Sequence, residues 1–284
     1  MFFPNSGKGR GLMNKVRKSS AAGFFYPSNS KQLKEEINLL LSVSKPEAGI
    51  ANLIGIISPH AGYIYSGRTA AYAYNLLRAK NFKTVIIISP SHREYFPGIS
   101  IYDGDAYETP LGEVPINKGI VEKITAGSKL IFQGISGHKE EHAVEVQIPF
   151  LQSVLYNFSV VPIVMGDQGK IYINELARKL AEVIDNSTLI VASSDLSHYH
   201  NKIEAYELDS IVEKRIEEFD YEGLQLDLEQ GNCEACGGGP IIAMMKAASM
   251  LDKKKSAILD RSDSGDSTGD DLEVVGYLSA AVYG

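Results

Sequence analysis

Three apolar runs of strand length each give out within a few residues of a histidine. Residues 53–58 run into Pro59-His60, residues 84–89 into Pro90-Ser91-His92, and residues 188–192 into Ser193-Ser194-Asp195-Leu196-Ser197-His198. Short uninterrupted apolar runs bounded by turn residues read as strands buried inside a sheet. Proline, with no N–H to give to a ladder, stops the first two. An Ala-rich helical segment, 68–79, opens after a break at Ser66-Gly67 and lies between those two strands, which makes a parallel βαβ unit. Ligands of open α/β sheets bind at the carboxyl ends of such strands. With the three ends side by side, His60, His92, His198 and the Asp195 carboxylate converge on one crevice.

The rest of the chain keeps the same alternation. Residues 28–30 cap a helix with Leu33, Ile37, Leu40 and Leu41 on one face. Residues 99–102 and 107–115 read as short strands of an edge or flap, broken by Asp103-Gly104-Asp105 and Thr109-Pro110, and 117–126 reads as a helix. Residues 141–156 are helical in tendency with an interruption at Pro149, and 159–165 is another apolar strand. Ile173, Leu176, Ala177, Leu180 and Ile184 form a helical stripe. Helices follow at 203–219 and 221–230. Gly237-Gly238-Gly239-Pro240 opens another, which ends at Leu251. Late strands at 257–259 and 273–283 flank a polar loop, 261–271. No linker interrupts residues 19–284, so the expectation is one layered α/β domain with a central, largely parallel or mixed sheet flanked by helices.

Charge narrows the function classes. The chain has 28 basic and 35 acidic residues, a net charge of −7. Five of the basic residues (Lys8, Arg10, Lys15, Arg17, Lys18) lie in residues 1–18, which contain no acid and read as a solvated basic extension. The remainder, 23 basic against 35 acidic, lacks the basic face that nucleic-acid binding needs. No apolar run is long enough to cross a bilayer, and residues 1–18 lack the apolar core of a secretory signal. Two cysteines three apart make no disulfide framework, which points to the cytoplasm.

Several chemistries compete for these residues. Neutral imidazoles are ligands for zinc, copper and iron. Asp195 and His198 also suit an orienter and a general base. Cys236, just before a glycine run that opens a helix, is expected to have a lowered thiol pKa, as a metal-binding thiolate or a nucleophile. Cys233 completes C-x-x-C by spacing but reads as an ordinary buried residue. His138 to His142 spells H-x-x-E-H, an inverted zinc-peptidase pattern that requires one continuous helix, and Gly134 and Gly137 argue against it. The better expectation puts His142 and Glu145, three apart at a helix start, into the same crevice. Residues 263–271 are rich in oxygen ligands without the EF-hand spacing, and read as a solvated loop.

Longer motifs connect these pieces. Ala22-Gly23-Phe24-Phe25-Tyr26-Pro27, PHAGYIYSG at His60, SPSH at His92, YETPLGEV at Tyr107 and EHAVEVQIPFLQ at Glu141 are followed by SSDLSHY at Asp195, Cys236-Gly-Gly-Gly-Pro, and SGDSTGD with VVGY after it. Together they resemble the Memo-like family, related in fold to the class III extradiol ring-cleaving (LigB-like) dioxygenases. The resemblance implies one α/β domain with one cleft. In those dioxygenases two histidines and a glutamate hold non-haem iron(II). His60 and His92 match the histidines, and Cys236 stands in the third place, as in Memo-like proteins. A soft thiolate there in place of a hard carboxylate shifts which metal and redox state are favoured, away from the ring-cleaving ligand set. His198 resembles the acid/base histidine and Asp195 accompanies it. His142 and Glu145 match the family's E-H-x-x-E segment, and Tyr63 lies in its PHAGY motif as a ligand-contacting position. The resemblance further implies iron or copper, with zinc as a third choice, a small-molecule or peptide ligand, and association with the other proteins of the AmmeMemoRadiSam system. In animals it implies phosphotyrosine-peptide docking. The leading expectation is a metal-binding cleft. The alternatives are a metal-free Cys236 nucleophile and a peptide-binding module without turnover.

Overall fold

A computed structural model describes residues 15–45, 50–78 and 80–284. The chain opens with β1 (Val16–Arg17), α1 (Ser30–Val43), β2 (Leu53–Ser58), α2 (Tyr63–Asn75) and β3 (Thr84–Pro90). Next come β4 (Ile99–Tyr102), β5 (Ala106–Thr109), β6 (Gly112–Pro115), α3 (Lys118–Thr125) and β7 (Ile131–Gly134). Then follow α4 (His142–Glu145), α5 (Gln147–Val154), β8 (Ser159–Met165), α6 (Lys170–Val183) and β9 (Thr188–Ser193). The chain closes with β10 (His198–His200), α7 (Lys202–Glu217), α8 (Tyr221–Gln230), α9 (Gly238–Met250), β11 (Lys255–Asp263), α10 (Gly265–Thr268) and β12 (Val274–Tyr283).

The main sheet has the order β10-β12-β2-β9-β3-β8-β4-β7, with β11 also paired to β12. Its centre, β2-β9-β3-β8, is parallel, and the antiparallel β12 and β4 flank it. Every residue of β2, β3 and β9 is buried, as continuous Ile/Val runs require when helices cover both faces of a parallel sheet. This is the mixed, helix-flanked α/β domain expected from the sequence. A small second sheet joins β1, β5 and β6.

Register decides what meets at the carboxyl edge. Ser58 of β2 lies opposite Ser193 of β9, and Ile88 of β3 opposite Ala192. His60 and Asp195, each two residues past that Ser58–Ser193 pair, therefore emerge level with one another.

Several local expectations need correcting. The 66–67 break does not exist: α2 starts at Tyr63, and Gly67 sits inside it, where an added Cβ would come within 2.8 Å of Leu40 on α1. That glycine permits close helix packing. The 141–156 segment breaks at Val146, while Pro149 occupies the first turn of α5, where its missing N–H costs nothing. β11 extends to Asp263, which shortens the polar loop and leaves one helical turn, α10, in it. Strands β1, β7 and β10 are additional; they are too short to carry a periodic signal.

The basic extension also changes. Residues 1–14 lie outside the described residues, but Val16 and Arg17 pair with β5, and Arg17 is only 5% exposed. A guanidinium is buried there because Glu145 and the carbonyls of His138 and Glu141 receive it.

Candidate metal centre and cleft

His60 is held from three sides. Its backbone N–H donates to Asp195 Oδ1 at 2.7 Å, and its Nδ1 lies 2.9 Å from Ser193 Oγ. Ser193 donates its own hydroxyl proton to the Ala143 carbonyl at 2.8 Å and also accepts from Gln147 Nε2 at 2.8 Å. Ser193 Oγ thus has only lone pairs left for His60, so Nδ1 carries the proton and Nε2 presents its lone pair. That Nε2 is 3.2 Å from Cys236 Sγ and 3.8 Å from Asp195 Oδ2. Burial holds the imidazole well below its usual pKa, with nearby His92 adding to the effect, so the ring is neutral.

His92 reaches the same arrangement through a different partner. Glu141 Oε2 accepts its backbone N–H at 2.7 Å and Oε1 accepts from Nδ1 at 2.9 Å. Burial alone would raise the Glu141 pKa, but the hydrogen bonds and charge from His92 and the Ala143 N–H overcome that and hold it down, at about 2. A carboxylate accepts only, so the proton sits on Nδ1 of His92 and Nε2 is free. His198 is oriented by the Leu196 carbonyl, 2.8 Å from its Nδ1, which again leaves Nε2 open.

Cys236 arrives on the turn before α9. A Cβ at Gly237 would lie 2.2 Å from the Ser193 carbonyl oxygen, so only glycine lets this turn press against the end of β9. Cys236 Sγ accepts the Asp195 N–H at 3.3 Å. Ligand atoms of His60, His92 and Cys236 all fall within 4.8 Å of one another, as do those of His92, Glu141 and His142.

Around these groups lies a cleft of about 600 Å³ whose lining includes Phe25, Tyr65, His142, Tyr199, Asp270 and Glu273. His142 is sandwiched between Phe25, at 4.2 Å between ring centroids, and His92, at 4.8 Å. Its buried Nδ1 has no hydrogen-bond partner among the described residues, and burial lowers its pKa to about 4. A second cavity of about 510 Å³ lies on the Cys236 side, with His198 in the lining of both. Tyr199, next to His198, has φ of +63°, costly for a bulky side chain, at a bulge where β10 pairs with β12. Glu234 clamps this bulge by accepting from the His198 N–H at 3.3 Å and pairing with His200 Nε2 at 3.0 Å.

The structure gathers His60, His92, His142, Asp195, His198 and Cys236 and leaves two expected residues out. Glu145 points away from the cleft into a buried nest formed by Arg17, Ser19, Ser20, Ala21 and Tyr26. Tyr63 is 4% exposed and donates its hydroxyl to the Val146 carbonyl at 2.7 Å. Tyr65, two residues on, is the one that faces the cleft.

Two roles change as well. Asp195 binds the His60 backbone and does not orient His198, which the Leu196 carbonyl holds. The Cys236 thiol pKa is pushed up: burial does most of this, and the Asp195 carboxylate adds to it. Gly237, not Cys236, caps α9, and desolvation outweighs any help from the helix end. The H-x-x-E-H pattern is absent as a site. Buried His138 bonds to Tyr107 and the Ser100 carbonyl, and α4 starts only at His142.

Sequence reasoning missed Ser193 and Glu141 as the groups that set the two tautomers, and Phe25, Tyr65 and Glu234. Ser193 and Glu141 stood inside the quoted SSDLSHY and EHAVE motifs.

Comparison with known proteins agrees with this architecture. The profile of the Memo-like protein family matches residues 17–281. A MEMO1 family protein of Thermoplasma volcanium is 40% identical over 93% of this chain and 97% of its own length. Another, from Thermotoga maritima, is 37% identical over 94% of this chain and 99% of its own. The crystal structure of an uncharacterized protein from Escherichia coli K12 shares the fold with a TM-score of 0.55, at 15% identity, over 81% of this chain and 99% of that one. With both the profile and these relatives spanning nearly its whole length, this chain belongs to the Memo-like family.

Proposed function

We propose that the protein binds a transition metal through His60, His92 and Cys236 in a dioxygenase-like cleft, with His198 handling protons beside it and Asp195 holding the His60 main chain. The observation that carries this is the surplus of lone pairs. Two imidazoles are locked with Nδ1 protonated, which leaves Nε2 of each as the donor. His60 Nε2 lies 3.2 Å from Cys236 Sγ, and ligand atoms of the three residues all lie within 4.8 Å. The donor set fits a transition metal. Two neutral nitrogens and one soft sulfur favour copper, iron or zinc over magnesium or calcium. Ser193 and Glu141 are the outer partners that such histidine ligands require.

The metal would supply Lewis acidity and, for iron or copper, electron transfer. The residues do the rest. Asp195 holds the His60 main chain in place. His198, with Nδ1 committed to a carbonyl, takes or gives a proton at Nε2 to a ligand in the cleft. His142 offers a neutral ring edge between Phe25 and His92. A reducing, cytoplasmic setting keeps the free Cys236 available as a ligand.

The same geometry weighs against a metal-free cysteine nucleophile. Burial keeps the Cys236 proton on sulfur, next to an imidazole that burial keeps neutral. As a metal ligand, Cys236 would bind as the thiolate and release its proton to solvent. Elemental analysis of protein purified without chelators tests the reading: near-stoichiometric metal in the wild type, and little in His60→Ala or Cys236→Ser. Unchanged metal content in both variants sinks it. Cobalt(II) substitution adds a thiolate charge-transfer band that Cys236→Ser removes.

A further inference from the structure

Residues 263–273, from the last residue of β11 to the start of β12, carry five acids with two different fates. Asp263, Asp266 and Asp271 gather on the Lys202 ammonium at 3.3, 2.8 and 3.5 Å. Asp270 and Glu273 make no ion pair among the described residues and line the large cleft instead. At the floor, Asp195 has a side chain only 6% exposed. Its Oδ1 takes the His60 N–H, while Oδ2 accepts no hydrogen bond among the described residues. No lysine or arginine is among the cleft-lining residues. The lining also includes Phe25, Tyr65, Tyr199 and Tyr277, whose rings supply flat apolar surface.

A partly enclosed cleft with fixed charges of one sign concentrates the opposite charge. Aromatic faces attract cations as well as flat apolar bodies. We infer that this cleft takes a small organic cation, a protonated amine joined to a flat aromatic body, and discriminates against carboxylated or phosphorylated ligands of the same shape. The ring stacks among the aromatic walls, and the ammonium pairs with Asp270 and Glu273 at the rim. A volume of about 600 Å³ suits a ligand of this size. The inference rests on the proposed cleft being the ligand site and is drawn for the metal-free cleft, since a metal held by His60 and His92 would add positive charge at its floor.

The test uses ligands with one ring and different tails: tyramine, neutral tyrosol, 4-hydroxyphenylacetate and O-phosphotyrosine. Each is titrated calorimetrically into metal-depleted full-length protein. Tyramine should bind about tenfold more tightly than 4-hydroxyphenylacetate, with tyrosol between them, and its advantage should shrink as salt rises. Asp270→Asn combined with Glu273→Gln should bring tyramine down to the level of tyrosol. Equal or tighter binding of the carboxylate or of phosphotyrosine overturns the inference. So does an absence of binding by all four at millimolar concentration. Metal uptake is measured separately on the same preparations. Lost metal binding with the cation preference intact defeats only the metal reading, and the converse defeats only this one.

Discussion

Two glutamates four residues apart, Glu141 and Glu145, anchor two buried polar clusters built on opposite plans. Around Glu145 every group has its match. The carboxylate receives Arg17, the Ser19 and Tyr26 hydroxyls, and the Ser20 and Ala21 N–H groups. Around Glu141 satisfaction is passed along and stops. The carboxylate saturates one edge of His92, and the other edge has no partner among the described residues, while His60 Nε2 is met only by the weak donor Cys236 S–H at 3.2 Å. Donors and acceptors balance in the first cluster, so it has no need of a ligand. Acceptors outnumber donors in the second, and a cation or a proton is what such a cluster lacks.

The sharpest way to break this contrast is Arg17→Ala, which strands the Glu145 carboxylate in the interior. Losing one partner of a buried ion pair costs about 3–5 kcal/mol. Urea denaturation should show a loss of that order, with metal binding retained by the folded protein. A cost below about 1 kcal/mol would mean that the nest is no clamp.

Acid separates the clusters further. Buried His138 has its pKa lowered by desolvation to about 3, and His142 to about 4. An unfolded histidine takes up its proton near 6.5, so the unfolded chain binds more protons between there and those folded values. Stability in metal-free protein therefore falls as pH drops through this window, by about 2 kcal/mol from His138 alone between pH 7 and pH 5. The raised pKa of buried Asp195 works in the opposite sense. The Glu141 and Glu145 contributions, from depressed pKa values, are present above about 4.5 and are lost only as pH falls further, for Glu141 toward about 2. Urea midpoints from pH 7 to pH 4 check the trend, which His138→Gln should flatten.

Glu141→Gln attacks the link between carboxylate and ring. The amide still accepts from His92 Nδ1–H but no longer fixes the proton by charge, and changes to such outer partners weaken metal binding ten- to hundredfold. Competition with a chromophoric chelator measures it. An unchanged affinity would detach Glu141 from the centre.

Much of this was legible in the residues, for reasons that also explain what was not. Strands β2, β3 and β9 are fully buried, so their apolar runs announce them, and the shared edge that brings His60, His92 and Asp195 together follows from parallel order. Cys236 came from its glycine run, whose need is steric at Gly237. Glu145 and Tyr63 were misplaced because a motif names residues without saying which way they face. Helical spacing put Glu145 beside His142, but Arg17, more than a hundred residues earlier in the chain, claims its carboxylate. The Cys236 thiol was misjudged because a helix start suggests a lowered pKa, whereas burial beside Asp195 depends on contacts that only the fold creates.

The smallest expected effect is the most discriminating. In Cys236→Ser the hydroxyl can still accept the Asp195 N–H, 3.3 Å from the present sulfur, and donate to His60 Nε2, 3.2 Å from it. Volume falls only slightly, and the turn depends on Gly237 rather than on sulfur. Metal-free stability should change by less than about 1 kcal/mol, while the soft donor is gone and metal content collapses. That pairing, unaltered fold with lost metal, is the signature of a cluster arranged for a ligand. A stability loss above about 2 kcal/mol would instead place Cys236 among the matched groups, like Glu145, and erase the difference between the two clusters.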